Sequence, residues 1–564
     1  MINAEPNRLT SAVALAATVL LAAAALRFPA LSSSPPGVWL DEAIGAVEGD
    51  ALIRGERPPG AGSVRSPRWP VWSLVEGASA WVAGMSVPSA RFPAAVAGLL
   101  SVALAFLVAR RFGTMTAGLA AAAFLAASYW HVSCSRMALP CILVVPETLF
   151  VGWLLLRDKP LSPGAGVLLV LVCAAAPLGY AASLVTPVLA AGLLVLRVRT
   201  RGARATRTEL VVLASTAVAV TLVLVTGPDS LHRSSALGRL GTAGPAGWLH
   251  QTGRVLANWA VGERAAWGCW NPFPAGSPRT TAVELTLVLL GTAAFARSSI
   301  PRERRIALAG WCALALLPEI APGDSVNLLR GLPALAPAAV LAGLGAETVI
   351  RLTGRPGAFL LAGAVVLNAG RTAWLTFRVL PRDPSARSWY LVPDQEAADC
   401  VRSLAAREPV ILTPVPTRTA SPVLLFHLRA SLRRGLIRGS DVALSHPRLD
   451  RVFRTPQTGE PVLFVFRDPK RQAGRVHLGL LSIDGLLAFG RDDLRAGRTR
   501  NAEAHFRGVL ALVPDSAVAH GALGLALAAQ GRWHEAADHL RIARPFSAPG
   551  SPCALALAEA ERRI

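Results

Sequence analysis

The chain has 564 residues, of which 52% are hydrophobic and only 16% are charged, and its mean hydropathy is +0.45. Soluble globular proteins carry roughly 25% charged residues, so this composition excludes an ordinary soluble enzyme and indicates a polytopic membrane protein. The net charge of +22 comes almost entirely from arginine. Because these arginines fall largely in short loops between apolar runs, they indicate membrane topology and contact with membrane lipids, and no nucleic-acid partner is expected.

Eleven apolar segments of about spanning length are predicted in the first 380 residues. They lie at 11–30, 92–109, 116–130, 138–156, 164–179, 182–196, 209–226, 282–296, 306–321, 331–350 and 357–377. The first is long enough to span and has no cleavage site after it, so we expect a retained anchor. Pro177, Gly179, Tyr180 and Pro187 interrupt the region 164–196, and broken segments of this kind often line a cavity.

The positions of the basic loops predict the orientation. One alternating set of loops holds dense arginine clusters, at 110–111, 157–159, 197–207, 297–305 and 351–355. The other set is longer and less uniformly basic, and it comprises 31–91, 131–137, 227–281 and 322–330. The first set is therefore predicted to face the cytoplasm, which places Asp41 outside. After an odd number of spans the C-terminal region also lies outside; one miscounted span reverses that placement but leaves Asp41 where it is.

A small soluble α/β domain is predicted at 381–480. Residues 409–412 and 462–466 have the composition of short buried strands, and 396–406 and 422–434 have the periodicity of helices. The overall prediction is an all-α polytopic membrane domain at 1–380, with about 11 transmembrane helices, followed by this domain and a helical region at 481–564.

The helical region contains an internal repeat of 34 residues. Gly490, Gly497, Ala502 and Phe506 recur as Gly524, Gly531, Ala536 and Leu540. This pattern resembles the tetratricopeptide repeat, with two units at 483–516 and 517–550 and a capping helix near 552–563. Such repeats imply a docking surface for a protein partner over 483–550 and no chemistry of their own.

Two adjacent carboxylates, Asp41 and Glu42, follow the first apolar segment. Carboxylates at the mouth of a bilayer are costly unless they face water, a cation or a substrate. The pair is therefore a candidate acid/base site for a substrate presented at the membrane surface. The alternative is that a first outer loop simply contains acids.

A series of short motifs along the first 380 residues distinguishes between these interpretations. They are 37–42 (Gly-Val-Trp-Leu-Asp-Glu), 90–94 (Ala-Arg-Phe-Pro-Ala), 109–113 (Ala-Arg-Arg-Phe-Gly), 135–140 (Ser-Arg-Met-Ala-Leu-Pro), 258–278 and 327–333 (Asn-Leu-Leu-Arg-Gly-Leu-Pro). Their order and spacing resemble those of GT-C glycosyltransferases, the group that includes protein O-mannosyltransferases and lipid A aminoarabinose transferases. The resemblance covers roughly residues 10–380.

The resemblance implies transfer of a sugar from a polyprenyl-phosphate donor to an acceptor at the outer face of the inner (cytoplasmic) membrane. It makes Asp41 the base that takes the acceptor proton, and Glu42 the group that orients the acceptor or shapes the local charge. Arg136 and Arg330 are the candidates for holding the leaving phosphate, and Arg91 is a third. The alternative for these arginines is interfacial snorkelling at the ends of spans.

The remaining candidates lie in the predicted outer loops. Glu76, Asn271 and Asn327 are candidate acceptor or loop residues, although a solvated helix face also explains Glu76. Glu263 and Asp324 could complete an oxygen-rich site for a divalent cation with the first-loop acids. No residue pattern decides whether a metal is needed, so the cofactor is left unassigned.

Two other functions fit parts of the sequence. A membrane-anchored scaffold would use only the helical repeats, but it needs one anchor and has no use for the Asp41-Glu42 pair. A transporter would place ionisable groups near the middle of its spans, whereas here the predicted spans are almost free of charge. Both are kept as alternatives to the glycosyltransferase.

Overall fold

The computed structural model describes residues 5–56, 69–201, 207–226, 245–261, 278–297, 300–321, 327–413, 422–439, 448–454, 456, 459, 461–472, 475–481, 483–548 and 550–564. The chain forms two compact units, Met1–Tyr390 and Leu391–Ile564. Each unit is described separately below.

The described part of the first unit is helical. Its helices are α1 (Glu5–Arg27), α2 (Leu40–Ile53), α3 (Pro70–Ala83), α4 (Val87–Ala109), α5 (Met115–Ala127), α6 (Tyr129–Cys134), α7 (Val144–Leu155), α8 (Pro163–Gly179), α9 (Val185–Arg201), α10 (Arg207–Thr226), α11 (Pro245–Val261), α12 (Ala282–Arg297), α13 (Arg302–Ile320), α14 (Leu328–Gly331), α15 (Leu335–Thr353), α16 (Arg355–Trp374) and α17 (Pro384–Trp389). Short 3₁₀ turns at Pro140–Leu143, Ala181–Leu184 and Leu332–Ala334 lead into α7, α9 and α15.

A helix covers each of the eleven predicted apolar segments. By length and composition, four stretches of the described chain are able to cross a membrane: Val87–Ala109, Ala181–Arg201, Leu328–Thr353 and Arg355–Val379. Shorter apolar helices lie at Val13–Arg27, Met115–Ala127, Pro140–Leu155, Pro163–Gly179 and Ala517–Ala528. The protein is therefore a multi-pass membrane protein, while the number of eleven spans stays a prediction.

The helix α15 lies at the centre of the membrane unit. The apolar window of the segment that contains it is 94% buried, whereas the window that contains α16 is only 11% buried. Glycines bring α12 and α15 into backbone contact: a Cβ on Gly291 would lie 1.8 Å from Leu341 O, and one on Gly345 would lie 2.0 Å from Leu287 O. Small residues at a crossing allow membrane helices to pack this closely.

The break predicted near Tyr180 is present. Helix α8 ends at Gly179, Tyr180 is extended (φ −158°, ψ 138°), and the chain restarts as the turn Ala181–Leu184 before α9. A second break occurs at Leu139, which is also extended and precedes the turn Pro140–Leu143. The two turns are in contact with each other, and the turn Pro140–Leu143 also contacts α14. Three interrupted segments therefore meet at one place.

The second unit begins with an α/β region. Its elements are α18 (Val392–Ala405), β1 (Val410–Thr413), α19 (Pro422–Arg433), β2 (Ile437–Gly439), β3 (Arg448–Arg454), β4 (Pro461–Gln472) and β5 (Arg475–Leu481). The sheet order is β2-β1-β5-β4-β3; β1 is parallel to both of its neighbours, and the other pairs are antiparallel. Val410, Leu412, Val465 and Leu478 form the core together with residues of both helices.

Five helices follow: α20 (Ile483–Arg495), α21 (Thr499–Leu512), α22 (Ala517–Ala528), α23 (Trp533–Ala543) and α24 (Pro552–Arg563). The 34-residue period produces the same contact twice. A Cβ on Gly490 would lie 2.4 Å from Phe506, and one on Gly524 would lie 2.5 Å from Leu540, so each glycine lets a large side chain fill the space between paired helices. Their assignment to the tetratricopeptide family stays a prediction.

Candidate functional site

Asp41 and Glu42 lie in the first turn of α2, but their environments differ. Trp39 precedes the helix in an extended conformation, and its N–H donates to Glu42 Oε2 at 2.8 Å. Successive helical residues point about 100° apart, so the two acids face different surroundings: Asp41 is partly exposed, whereas Glu42 is buried. The adjacent pair therefore does not act as a single acidic group.

The Glu42 carboxylate joins three segments of the chain. Arg91 of α4 donates to both of its oxygens, from Nε at 2.8 Å and from Nη2 at 3.0 Å. Ala138 N donates to Oε1 at 2.7 Å. With the bond from Trp39, these contacts give the buried carboxylate four hydrogen bonds. Glu42 thus fixes the start of α2. Of its two predicted roles, this geometry favours shaping the local charge over orienting an acceptor.

The rest of the Arg91 guanidinium holds the loop before α2. Nη1 donates to Leu31 O at 2.9 Å and to Pro35 O at 2.8 Å, and Nη2 also donates to Gly37 O at 2.8 Å. All five N–H groups of a guanidinium are matched by these contacts and the Glu42 pair. Arg91 therefore has no N–H group left with which to bind a phosphate, the role that the sequence analysis predicted for it.

Arg136 is used in the same way. It donates to the carbonyl oxygens of Leu26, Arg27, Pro29, Ala30 and Ser34, at 2.7 to 3.2 Å. Its guanidinium lies 4.9 Å from the centre of the Phe377 ring. Burial, and then the charge of Arg91, lower the pKa of Arg136 to about 9. Its buried donors all go to backbone, so the geometry does not support Arg136 as a phosphate ligand.

Arg330, the other predicted phosphate ligand, has a different environment. It is only partly buried and lies on the short helix α14. Asn327 caps that helix: its Oδ1 accepts from Leu329 N at 3.0 Å and from Arg330 N at 3.2 Å. Asn327, predicted as an acceptor or loop residue, therefore positions the backbone that carries Arg330.

A buried ion pair that the sequence analysis did not identify supports α14. Arg279 donates to Glu319 from Nη1 at 2.8 Å and from Nη2 at 2.6 Å, and from Nε to Asn258 Oδ1 at 2.5 Å. Glu319 in turn accepts from Asn327 N at 3.0 Å. The partners lie 40 residues apart, which is why no local motif indicates them.

Tyr180 connects the two partly exposed charged candidates. Burial raises the pKa of the Tyr180 phenol; among the nearby charges, Arg330 lowers that pKa and Asp41 raises it. The contacts agree with this placement: Glu42, next to Asp41, accepts from Ala138 N, just before the turn Pro140–Leu143. That turn contacts both the turn that follows Tyr180 and the helix that carries Arg330. The sequence indicated this residue only as part of a helix break.

The Glu76 side chain is fully buried between α2 and α3. A Cβ on Gly45 would lie 2.3 Å from Glu76 Oε2, and neither carboxylate oxygen has a hydrogen-bond partner among the described residues. Burial, and then the charge of Glu42, raise the pKa of Glu76 well above its usual value. A buried protonated carboxyl fits this environment, in contrast to the predicted acceptor-facing acid or solvated helix face.

Three predicted residues, Asn271, Glu263 and Asp324, lie outside the described residues. Within the described chain, no group of three or more His, Cys, Asp or Glu side chains is arranged to hold a metal ion. The predicted divalent-cation site is therefore not assigned to any set of residues.

Glu147 is an acid that the sequence analysis did not single out. It lies in the first turn of α7, inside an apolar run, and its Oε2 accepts a hydrogen bond from Thr186 Oγ1 at 3.1 Å. In the sequence, Glu147 stands out only as a single acid within a predicted span, and one acid hardly changes the mean hydropathy of that span.

The chain was also compared with known proteins. No protein-family model matches it, and no curated protein matches it. Its structure is similar to the crystal structure of ArnT from Cupriavidus metallidurans bound to undecaprenyl phosphate, at 17% identity and a TM-score of 0.45, over 76% of this chain and 85% of that chain.

Two further similarities are of the same kind. One is to the oligosaccharyltransferase of Archaeoglobus fulgidus, at 13% identity and a TM-score of 0.40, over 76% of this chain and 63% of that chain. The other is to the mycobacterial arabinofuranosyltransferase AftD, at 14% identity and a TM-score of 0.40, over 72% and 29%. These structural neighbours are membrane glycosyltransferases of the GT-C fold, the family that the motifs resemble. At these identities and TM-scores they carry no argument about the activity of this chain.

Proposed function

We propose that the protein is a membrane glycosyltransferase that moves a sugar from a polyprenyl-phosphate donor to an acceptor at the outer face of the cytoplasmic membrane. The observation that supports the proposal is a chain of contacts between the segments that carry Asp41 and Arg330. Glu42, next to Asp41, accepts from Ala138 N, just before the turn Pro140–Leu143, and that turn contacts α14, which carries Arg330. Both Asp41 and Arg330 are partly exposed. The donor class comes from the motif resemblance.

The reaction assigns one task to each charged group. Asp41 takes the proton of the acceptor hydroxyl or amine as that group attacks the anomeric carbon of the donor sugar. The bond between the anomeric carbon and the phosphate oxygen breaks, and the phosphate keeps the electron pair. Arg330 stabilises the charge that develops on that phosphate.

The buried groups keep Asp41 in place. Glu42 and Arg91 fix the first turn of α2, and Arg136 holds the loop before it through five backbone carbonyls. A base must be held within hydrogen-bond reach of the proton that it abstracts. We therefore assign these three residues to positioning rather than to contact with the substrate.

The charge of residue 41 provides the main test. Asp41→Asn keeps the shape of the side chain and removes its basicity, so sugar transfer should fall by about 100-fold or more. Cells lacking the protein are complemented with each variant, and glycans on lipids, surface polymers and exported proteins are compared. Asp50→Asn, on the same helix, is the matched control and should restore the wild-type glycan profile.

An unchanged glycan profile with folded Asp41→Asn protein would contradict the assignment of the base. It would favour the alternative in which the chain is a membrane-anchored scaffold that docks a protein through residues 483–550. The proposed topology, with Asp41 and the C-terminal unit both outside, is tested separately with a reporter enzyme that is active only outside the membrane, fused after Ile564.

A further inference from the structure

A second polar cluster lies next to the candidate site. Its centre is Glu147, which is partly exposed and whose carboxylate accepts from Thr186 Oγ1. No cation pairs with Glu147 in the described part of the chain. A carboxylate in an apolar helix is costly unless it faces water or a polar ligand. Thr186 supplies one hydrogen bond, and a carboxylate can accept several, so Glu147 keeps capacity for a further polar partner.

Two hydroxyl groups complete the cluster. Ser183 and Thr186 are both fully buried. Ser183 lies beside the Glu147 carboxyl and interacts with it, but its Oγ makes no hydrogen bond of normal geometry with the described residues. Buried hydroxyls are normally hydrogen-bonded, so the serine has capacity for a ligand. Carboxylate and hydroxyl oxygens together are suited to a ligand that has several hydroxyl groups of its own.

The cluster is continuous with the candidate site. Ser183 N donates to Tyr180 O at 3.0 Å, so the serine lies one turn beyond the residue on which both Asp41 and Arg330 act. Glu147 follows the turn Pro140–Leu143, which contacts both the turn that carries Ser183 and the helix that carries Arg330. A ligand bound near Arg330 can therefore extend to these oxygens.

We propose that Glu147, Ser183 and Thr186 form the subsite that binds the hydroxyl groups of the donor sugar. This inference rests on the proposed function. The carboxylate accepts hydrogen bonds from sugar hydroxyls, and the Ser183 hydroxyl adds a donor and an acceptor. A carrier that has lost its sugar offers only an anionic phosphate, which Glu147 repels. The subsite thus favours the loaded donor over the spent carrier.

The test compares two classes of carrier on the purified full-length protein in detergent. The probes are undecaprenyl phosphate and its mannosyl, glucosyl and arabinosyl derivatives, and the measurement is the dissociation constant of each. The wild-type protein should bind at least one glycosylated carrier about tenfold more tightly than the bare one. Glu147→Gln should lose that preference while its affinity for undecaprenyl phosphate does not fall.

Two further variants make the test specific. Glu284→Gln is the matched control, because Glu284 is likewise an acid in the first turn of an apolar helix but accepts from Thr281 N and Asn368 Nδ2. It should keep the wild-type preference. Thr186→Val removes one hydroxyl at constant shape and should weaken the preference by a smaller factor. If Glu147→Gln does not fold, Thr186→Val provides the test of the sugar subsite.

The outcomes separate this inference from the proposed function. A preference that survives in folded Glu147→Gln, or an equal loss of affinity for bare and glycosylated carriers, overturns the sugar subsite. A wild-type protein that binds bare and glycosylated carriers equally also overturns it but leaves the donor class intact. A wild-type protein that binds none of the carriers overturns the proposed function itself.

Discussion

The predicted outer end and the predicted cytoplasmic end of the membrane unit each contain a buried arginine that binds backbone carbonyls. At the predicted outer end, Arg136 binds the end of α1 and the loop that follows it. At the other end, Arg197 of α9 donates to Leu155 O at 2.6 Å, to Lys159 O at 2.8 Å and to the Arg157 carbonyl. A guanidinium has five donors in a fixed plane, so it can hold a loop in one conformation at either surface.

The two ends differ in the exposure of their other charged side chains. At the cytoplasmic end, Arg197 is neutralised by Glu209 at 2.7 Å. At the outer end the corresponding acid, Glu42, pairs with Arg91, and Asp41 and Arg330 remain partly exposed. A buried arginine at the end of a span is therefore not a sign of a phosphate site. A partly exposed acid and a partly exposed guanidinium on neighbouring segments are the better indicator.

The largest expected effect is a loss of stability when Arg197, which holds the loop at the predicted cytoplasmic end, is replaced. Arg197→Met leaves Glu209 buried without that partner and removes the donors to three carbonyls, so the free energy of unfolding should fall by about 3–5 kcal/mol. Denaturant unfolding in detergent measures this change. Donor binding by the fraction that remains folded should be normal, and a selective loss of donor affinity would contradict the structural role.

The equivalent change at the outer end is Arg136→Met. It leaves several buried carbonyls without donors but no unpaired carboxylate, so a smaller loss of about 3 kcal/mol is expected. The catalytic rate of the folded fraction should also fall, because the loop that precedes Asp41 is released. If Arg136→Met instead has wild-type stability but binds the donor poorly, Arg136 is a ligand of the donor phosphate after all.

Arg330→Lys should show the reverse pattern. Lysine keeps the positive charge but loses the planar pair of donors, so affinity for undecaprenyl phosphate should fall about tenfold while stability is unchanged. Arg351→Lys is the control, because Arg351 lies on α15 and pairs with Glu347 at 2.9 Å. If Arg330→Lys has wild-type affinity, the phosphate assignment fails.

The smallest expected effect concerns Glu76 and its dependence on pH. Because the pKa of Glu76 is raised in the folded protein, the unfolded chain gives up this proton first. Stability is therefore greatest below the usual carboxyl pKa and declines as the pH rises toward the folded value. Glu76→Gln should remove this part of the decline in the unfolding temperature, and an unchanged pH profile would show that Glu76 is already ionised.

The sequence predicted the general organisation of the membrane unit because that organisation follows from composition. Apolar runs of spanning length predicted helices, and a helix covers each of them. The break near Tyr180 was predicted from its prolines and glycine. In the second unit, β1 and β4 overlap the predicted strands. Strand β3 was missed because its arginines and Asp450 interrupt the apolar pattern of Leu449, Val452 and Phe453.

The sequence was less informative about the partners of the charged residues. Arg91 and Arg136 bind carbonyl oxygens, which every residue possesses and no side-chain pattern reveals. The Arg279–Glu319 pair joins distant segments and is equally invisible locally. Asp41 was identifiable because a motif surrounds it, whereas Glu147 was overlooked because a single acid hardly changes the hydropathy of a span.

The glycine crossing between α12 and α15 has a practical consequence for handling the protein. Helices held by direct backbone contact depend little on the surrounding solvent, because lipid and detergent are both excluded from the seam. Extraction into micelles should therefore leave this pair of helices intact. Arg330 lies near the start of the same continuous stretch of chain, Leu328–Thr353. Its position should therefore be retained in purified samples, in which donor analogues can be titrated.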